Sequence, residues 1–155
     1  MDDSRLCLAN ILQAERFGAV CINYMKLIAW LKQGGELAGG VVQDCLSGQT
    51  VEVQALCVVN ATGPWSDRIR QLSDSKAPKR LAPTKGIHLI VPRAAESALF
   101  VEAKHGLRMF FVLPWGDYSL VGTTESPVKG PLEELRASAD EAGQLIEEVN
   151  RVLTD

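Results

Sequence analysis

Two stretches of this chain carry residues whose types and spacing could do chemistry. The first is Asn60-Ala61-Thr62-Gly63-Pro64-Trp65, which ends the apolar run Ala55 to Val59. Small side chains at Ala61, Thr62 and Gly63 let main chain approach a flat or phosphorylated ligand, and Thr62 adds a hydroxyl. Pro64 suits the first turn of a helix, whose unpaired N–H groups favour an anion. The same residues serve equally well as a tight strand-to-helix turn. The second stretch runs from Lys85 to Arg108. His88 is the best candidate for a base, since imidazoles as a class exchange protons readily near neutral pH. The forked guanidinium of Arg108 can hold a phosphate in two places, and Lys85 can assist as a point charge. Against these stand plainer roles: a histidine bonded to backbone within a sheet, a solvated arginine at a strand start and a solvated lysine at a strand edge. His105, in a turn-like Lys104-His105-Gly106, reads as surface.

The elements that must position these residues follow from periodicity. Asp2, Asp3 and Ser4 make an acidic capping start, and Cys7, Leu8, Ile11, Leu12 and Ala14 recur at helical spacing until Phe17-Gly18. Ala19 to Leu31 is expected to be a strand, broken by the run KQGGELAGG. Val41 to Asp44 and Val51 to Val53 flank a Ser47-Gly48 hairpin signal. Ala55 to Val59 is expected to be a strand buried on both faces. Polar, proline-bearing residues between Ser73 and Pro83 mark a boundary, giving domains 1–75 and 76–155. Beyond it, GIHLIVP, ALFVEA, RMFFVLPW and YSLVGTT read as an antiparallel sheet of hairpins. From Gly130 to Leu153 the spacing predicts one amphipathic helix, with Leu132, Leu135, Ala139, Ala142, Ile146, Val149 and Leu153 on the stripe that covers this sheet.

Composition narrows the classes. The 155 residues are 46% hydrophobic and 23% charged, with a net charge of −3. That is the balance of a globular protein, and without a basic run it gives no reason to expect nucleic acid. Cys7, Cys21, Cys45 and Cys57 lie far apart, with no close pair of metal-ligand type, and are expected to be reduced core fillers. No apolar run reaches the roughly 18 residues of a transmembrane segment, and Met1 to Ser4 begins neither a secretion signal nor a transit peptide. No G-x-G-x-x-G opens a first strand of dinucleotide-binding type.

Read together, DSRLCLANILQAERFGAVCINYMKL, CVVNATGPWSD, PTKGIHLIVPR, FFVLPW and LVGTTES resemble the FAD-dependent glycerol-3-phosphate dehydrogenases, in particular the mitochondrial type, in series and over nearly the whole chain. The wider relatives are flavin oxidases of glycine, sarcosine and D-amino acids. The resemblance implies an α/β fold: part of a Rossmann-type FAD-binding domain with a β-meander, then a substrate-domain sheet covered by a helix. It implies that Ala61, Thr62 and Gly63 lie along FAD with Trp65 close by, and that the backbone of Leu27 passes beneath the adenine. That family oxidises the C2 hydroxyl of glycerol 3-phosphate to the ketone of dihydroxyacetone phosphate and passes electrons through FAD to a quinone. His88 would then be the base or a hydrogen bonder to the substrate, with Lys85, Arg108 and Thr124 toward the substrate. Glu125 stands where the family more often has Asp.

The resemblance further implies that the glycine-rich phosphate loop lies upstream of residue 1 and that further flavin contacts lie beyond Asp155. The chain by itself is therefore expected to hold FAD weakly or not at all, and to be inactive. A peripheral seat on the mitochondrial inner membrane or a bacterial cytoplasmic membrane goes with a quinone acceptor. Two other readings stay open: an interaction or regulatory module built from the same fold, and an amino-acid oxidase.

Overall fold

The computed structural model describes residues 2–103 and 109–153. Arg108 and His105 lie outside the described residues. Contacts gather into two compact units, Met1–Pro78 and Lys79–Asp155.

The first unit opens with helix α1, Asp3–Arg16. Asp2 caps it by accepting the Arg5 amide at 3.0 Å. Arg16 sits in the last turn, where a cation complements the helix dipole. Leu8 and Leu12, on the expected apolar stripe, remain half exposed. Three antiparallel strands follow, ordered β1 (Met25–Gln33), β2 (Glu36–Asp44) and β3 (Thr50–Gln54). The first strand therefore starts six residues later than Ala19. Only Gly34-Gly35, both at positive φ, form the turn that KQGGELAGG suggested. The backbone twist of such a two-residue turn matches the strands on either side, which lets Glu36 to Gly40 join β2. Gly39 and Gly40 are buried, and a side chain on either would overlap the Val53 carbonyl or the Leu27 Cδ1. The expected hairpin between Asp44 and Thr50 forms. Asp44 accepts from the Leu46 amide at 2.8 Å and the Ser47 hydroxyl at 2.6 Å, which hold its carboxyl below the usual range, with the hydroxyl the larger influence.

Ala55 to Val59 is not a strand, and it is not buried: Val59 is 81% exposed. Its one ladder-like bond runs from the Ala55 amide to the Ala38 carbonyl. Without a hydrogen-bonding neighbour along its length among the described residues, apolar β-propensity alone does not make a strand. The cysteines are also corrected. All four are free, and all four are exposed rather than core. A 3₁₀ turn over Gly63–Trp65 leads into α2, Ser66–Gln71. The Trp30 indole donates to the Ile69 carbonyl at 3.2 Å and so ties β1 to α2.

The second unit is a four-stranded antiparallel sheet in the order β5 (His88–Pro92), β8 (Tyr118–Gly122), β7 (Met109–Trp115), β6 (Leu99–Glu102). A short ladder of β4 (Thr84–Lys85) and β9 (Ser126–Pro127) extends from β5 and β8. Phe110, Val112 and Val121 form the core, with Leu89, Val91, Leu99, Val149 and Leu153 packed against it. Helix α3, Ala139–Val152, covers that face as expected, but it starts nine residues after Gly130. Ser138 is the reason. It is extended, and its hydroxyl accepts the Glu141 amide while Glu141 reaches back to the Ser138 amide, a reciprocal cap that fixes the start. Leu132 lies in a 3₁₀ turn ahead of the helix and Leu135 just after it. The buried helical positions are Glu141 and Leu145, whereas Ile146 is half exposed.

Candidate functional site

The corner after Val59 is open. Val59 to Trp65 are all exposed, and Gly63 holds a φ of +53° that its lack of a side chain permits. A Cβ there would meet nothing within 4 Å, so the space above the turn is free. Asn60 shapes this corner. Its Oδ1 accepts the Thr62 hydroxyl at 2.7 Å and the Thr62 amide at 3.4 Å, and its Nδ2 donates to the Ser66 carbonyl at 3.0 Å. The side chain that could have filled the corner is folded back to brace it. Ala61, Thr62, Gly63 and Trp65 are thus brought together by one local turn. Leu27 stands apart in β1, opposite Val42 and packed over Gly40. The openness of the corner fits a group that lies against main chain, as a dinucleotide does, though the Thr62 hydroxyl is partly spent on Asn60.

In the second unit the sheet has two unlike faces. Alternation sends Leu89, Val91, Phe110, Val112 and Val121 into the core under α3. It sends His88 and Ile90 to the other face. Opposite His88 on β8 is Gly122, and Gly122 is opposite Phe111 on β7, which in turn is opposite Phe100 on β6. A row His88–Gly122–Phe111–Phe100 therefore crosses the sheet. The two phenyl rings stack with centroids 4.7 Å apart and planes at 28°. Gly122 is the low point of the row. The His88 ring leans over it, with Cδ2 at 2.5 Å from where a Cβ would stand. Phe111 is 42% exposed, Ile90 66% and Trp115 44%, so this face presents apolar and aromatic surface with one imidazole at its end. Such a face suits a planar ligand and a small polar molecule beside it.

Lys85, His88 and Thr124 are brought together at the same end of the sheet. The Ile87 amide donates to Thr124 Oγ1 at 3.0 Å. A side chain at Gly86 would overlap Thr123 Oγ1 and the Thr124 carbonyl, so residues 85–88 and 123–126 lie against each other without room to spare. Lys85 is not a free cation. Its ammonium donates to the Arg136 carbonyl at 2.7 Å and to Glu141 Oε2 at 2.7 Å. Glu141 also accepts from the Ser126 hydroxyl at 2.7 Å and from Ser138. Lys85 foremost, then Ser126 and Ser138, hold this carboxyl down at about 2. Glu125 is exposed.

Gly122, Phe100, Phe111 and Glu141 stand beside the candidate residues in the structure, and reading the sequence does not single them out. The period-2 pattern of HLIVP, MFFVLPW and YSLVG carried the signal for the His88 face. For Glu141 the signal was Ser138-x-x-Glu141, the sequence of a capping box. Among the described residues no cluster of His, Cys, Asp and Glu could hold a metal.

The chain is similar over most of its length to known proteins. The chain is 36% identical over 148 residues to the mitochondrial glycerol-3-phosphate dehydrogenase of Mesocricetus auratus, covering 90% of this chain and 20% of that one. It is 34% identical over 155 residues to the alpha-glycerophosphate oxidase of Streptococcus pneumoniae, covering 96% and 26%. Among solved structures, the glycerol-3-phosphate dehydrogenase from Bacillus halodurans complexed with FAD matches with a TM-score of 0.92 and 31% identity, over 99% of this chain and 32% of that one. The chain thus spans between a fifth and a third of the length of these relatives. The family model described as FAD dependent oxidoreductase matches residues 1–155, and the chain belongs to that family.

Proposed function

We propose that these residues form flavin- and substrate-facing parts of a glycerol-3-phosphate dehydrogenase, which oxidises sn-glycerol 3-phosphate to dihydroxyacetone phosphate. Residues 1–75 take the role of part of the FAD-binding domain and 76–155 that of part of the substrate domain. The observation that carries the reading is the open sheet face, where the His88 imidazole leans over Gly122 beside stacked aromatic rings. In the first unit, main chain at Ala61, Thr62 and Gly63, with Trp65 and the backbone of Leu27, would hold FAD. FAD, when bound, supplies the acceptor for the hydride that leaves C2.

The chain's own residues do the rest. His88 takes the C2 hydroxyl proton as the carbinol becomes a ketone, because its imidazole lies on the open face of the sheet, over Gly122. Phe111 and its neighbours keep water from the reacting carbon. Arg108 grips the substrate phosphate through two N–H groups. Lys85 adds less than a free lysine would, because Glu141 already balances its charge and one of its three hydrogens is left to give. Thr124 Oγ1 accepts from the Ile87 amide and retains its hydrogen for a substrate oxygen. A quinone at the mitochondrial inner membrane or a bacterial cytoplasmic membrane would be the electron acceptor. Among the described residues no helix is long and apolar enough to cross a membrane.

The test is a chimera in which residues 1–155 replace the matching segment of the Bacillus halodurans relative. Anaerobic addition of glycerol 3-phosphate should bleach its flavin, and glycine or sarcosine should not. Bleaching by the amino acids alone would move the chain to the amino-acid oxidases.

A further inference from the structure

Glu141 does more than a helix cap requires. A capping box needs only the reciprocal bonds between Ser138 and Glu141. Here the same carboxylate accepts from two further donors, Lys85 Nζ and Ser126 Oγ, each at 2.7 Å. Those two residues are partners in the β4–β9 ladder. One strand of that ladder runs through Gly86 and Ile87 into His88, and the other leaves Gly122 through Thr123 and Thr124. The carboxylate thus joins the start of α3 to both chain segments that frame the imidazole. Its side chain is 11% exposed and that of Lys85 22%, so the pair is largely shielded from water and salt.

We infer that Glu141 is a positioning residue for His88: from the helix it clamps Lys85 and Ser126, and through the closely packed Gly86 and Ile87 it fixes where β5 begins and the imidazole points. The chemical consequence rests on the reading of His88 as the proton acceptor. The geometric claim does not, because it concerns only this chain's residues.

The experiment uses NMR on the 155-residue chain, where His88 and His105 are the two histidines and a His105→Asn variant assigns the signals. Glu141→Gln retains a good capping residue but removes the charge. It should shift the His88 ring resonances and speed hydrogen exchange at the Ile87 amide by about tenfold, leaving Leu99 to Glu102 in β6 within about twofold of the parent. Lys85→Met, which leaves the cap untouched, should reproduce both changes, and Lys85→Arg should largely restore them. Unmoved His88 signals in Glu141→Gln and Lys85→Met would overturn the inference. Exchange that rises evenly from β5 to β8 would do so too, since it would mean that the carboxylate only stabilises the unit. Neither outcome touches the functional reading, which is tested by flavin bleaching. That reading would in turn be lost, with this inference intact, if the chimera ignored glycerol 3-phosphate.

Discussion

Gly122 offers the sharpest test of how the sheet presents His88. A methyl group placed on it would stand 2.5 Å from His88 Cδ2, 2.9 Å from His88 Cγ and 2.8 Å from the Ile87 carbonyl oxygen. The imidazole can swing away. The carbonyl cannot, because it belongs to the backbone that enters β5, directly before the His88–Gly122 pair. Gly122→Ala should therefore both turn the ring and push β5 from β8. Overpacking of this kind costs about 1–3 kcal/mol. With a urea dependence of roughly 2 kcal/mol per molar, that lowers the unfolding midpoint by about 1 M. The assay is urea unfolding followed through the methyl signals of Val112 and Val121, which report the core of this unit, together with the His88 ring resonances. A variant with the parent's midpoint and an unmoved His88 would show that the glycine is not needed for the row across the sheet.

Three further predictions follow from the same structure. Gly143 lies inside α3, and a Cβ there meets nothing within 4 Å, so Gly143→Ala should stabilise the protein by roughly 0.5–1 kcal/mol in thermal unfolding. Phe110 is 3% exposed at the centre of the core, so Phe110→Ala should cost about 3–5 kcal/mol in urea unfolding, a large share of what a domain of this size has. Glu141 titrates at about 2 in the folded chain against an ordinary 4.5, so its charge contributes stability above 4.5 that is lost as pH falls toward 2. The difference in melting temperature between the parent and Glu141→Gln should accordingly be constant near neutrality, narrow below about pH 4.5 and vanish by about pH 2.

What the sequence told in advance depended on how local its causes were. The sheet of the second unit was legible because HLIVP, MFFVLPW and YSLVG alternate cleanly and Gly116-Asp117 marks the tightest turn. The first helix was legible from Asp2 and from its spacing. Ala55 to Val59 misled because an apolar run shows what a strand would bury, not whether a neighbour exists to pair with it. The start of α3 was placed too early because helical spacing continues through Leu132 and Leu135, while the cap at Ser138 decides where the helix begins. Charge and the family resemblance both point Lys85 toward the substrate. That its ammonium meets Glu141, 56 residues away, is a tertiary fact that no local pattern contains. The His88 row requires knowing the register of four strands, and alternation gives the face of a residue but not its opposite number.

The central claim is that His88, on the open face of this sheet, takes the proton of a glycerol 3-phosphate hydroxyl. It is tested most directly by the rate of anaerobic flavin bleaching in the chimera, compared with its His88→Ala variant at equal flavin content. The account predicts rapid bleaching by glycerol 3-phosphate that slows by about 10²–10⁴-fold when the imidazole is removed. Bleaching at the same rate in both would contradict it.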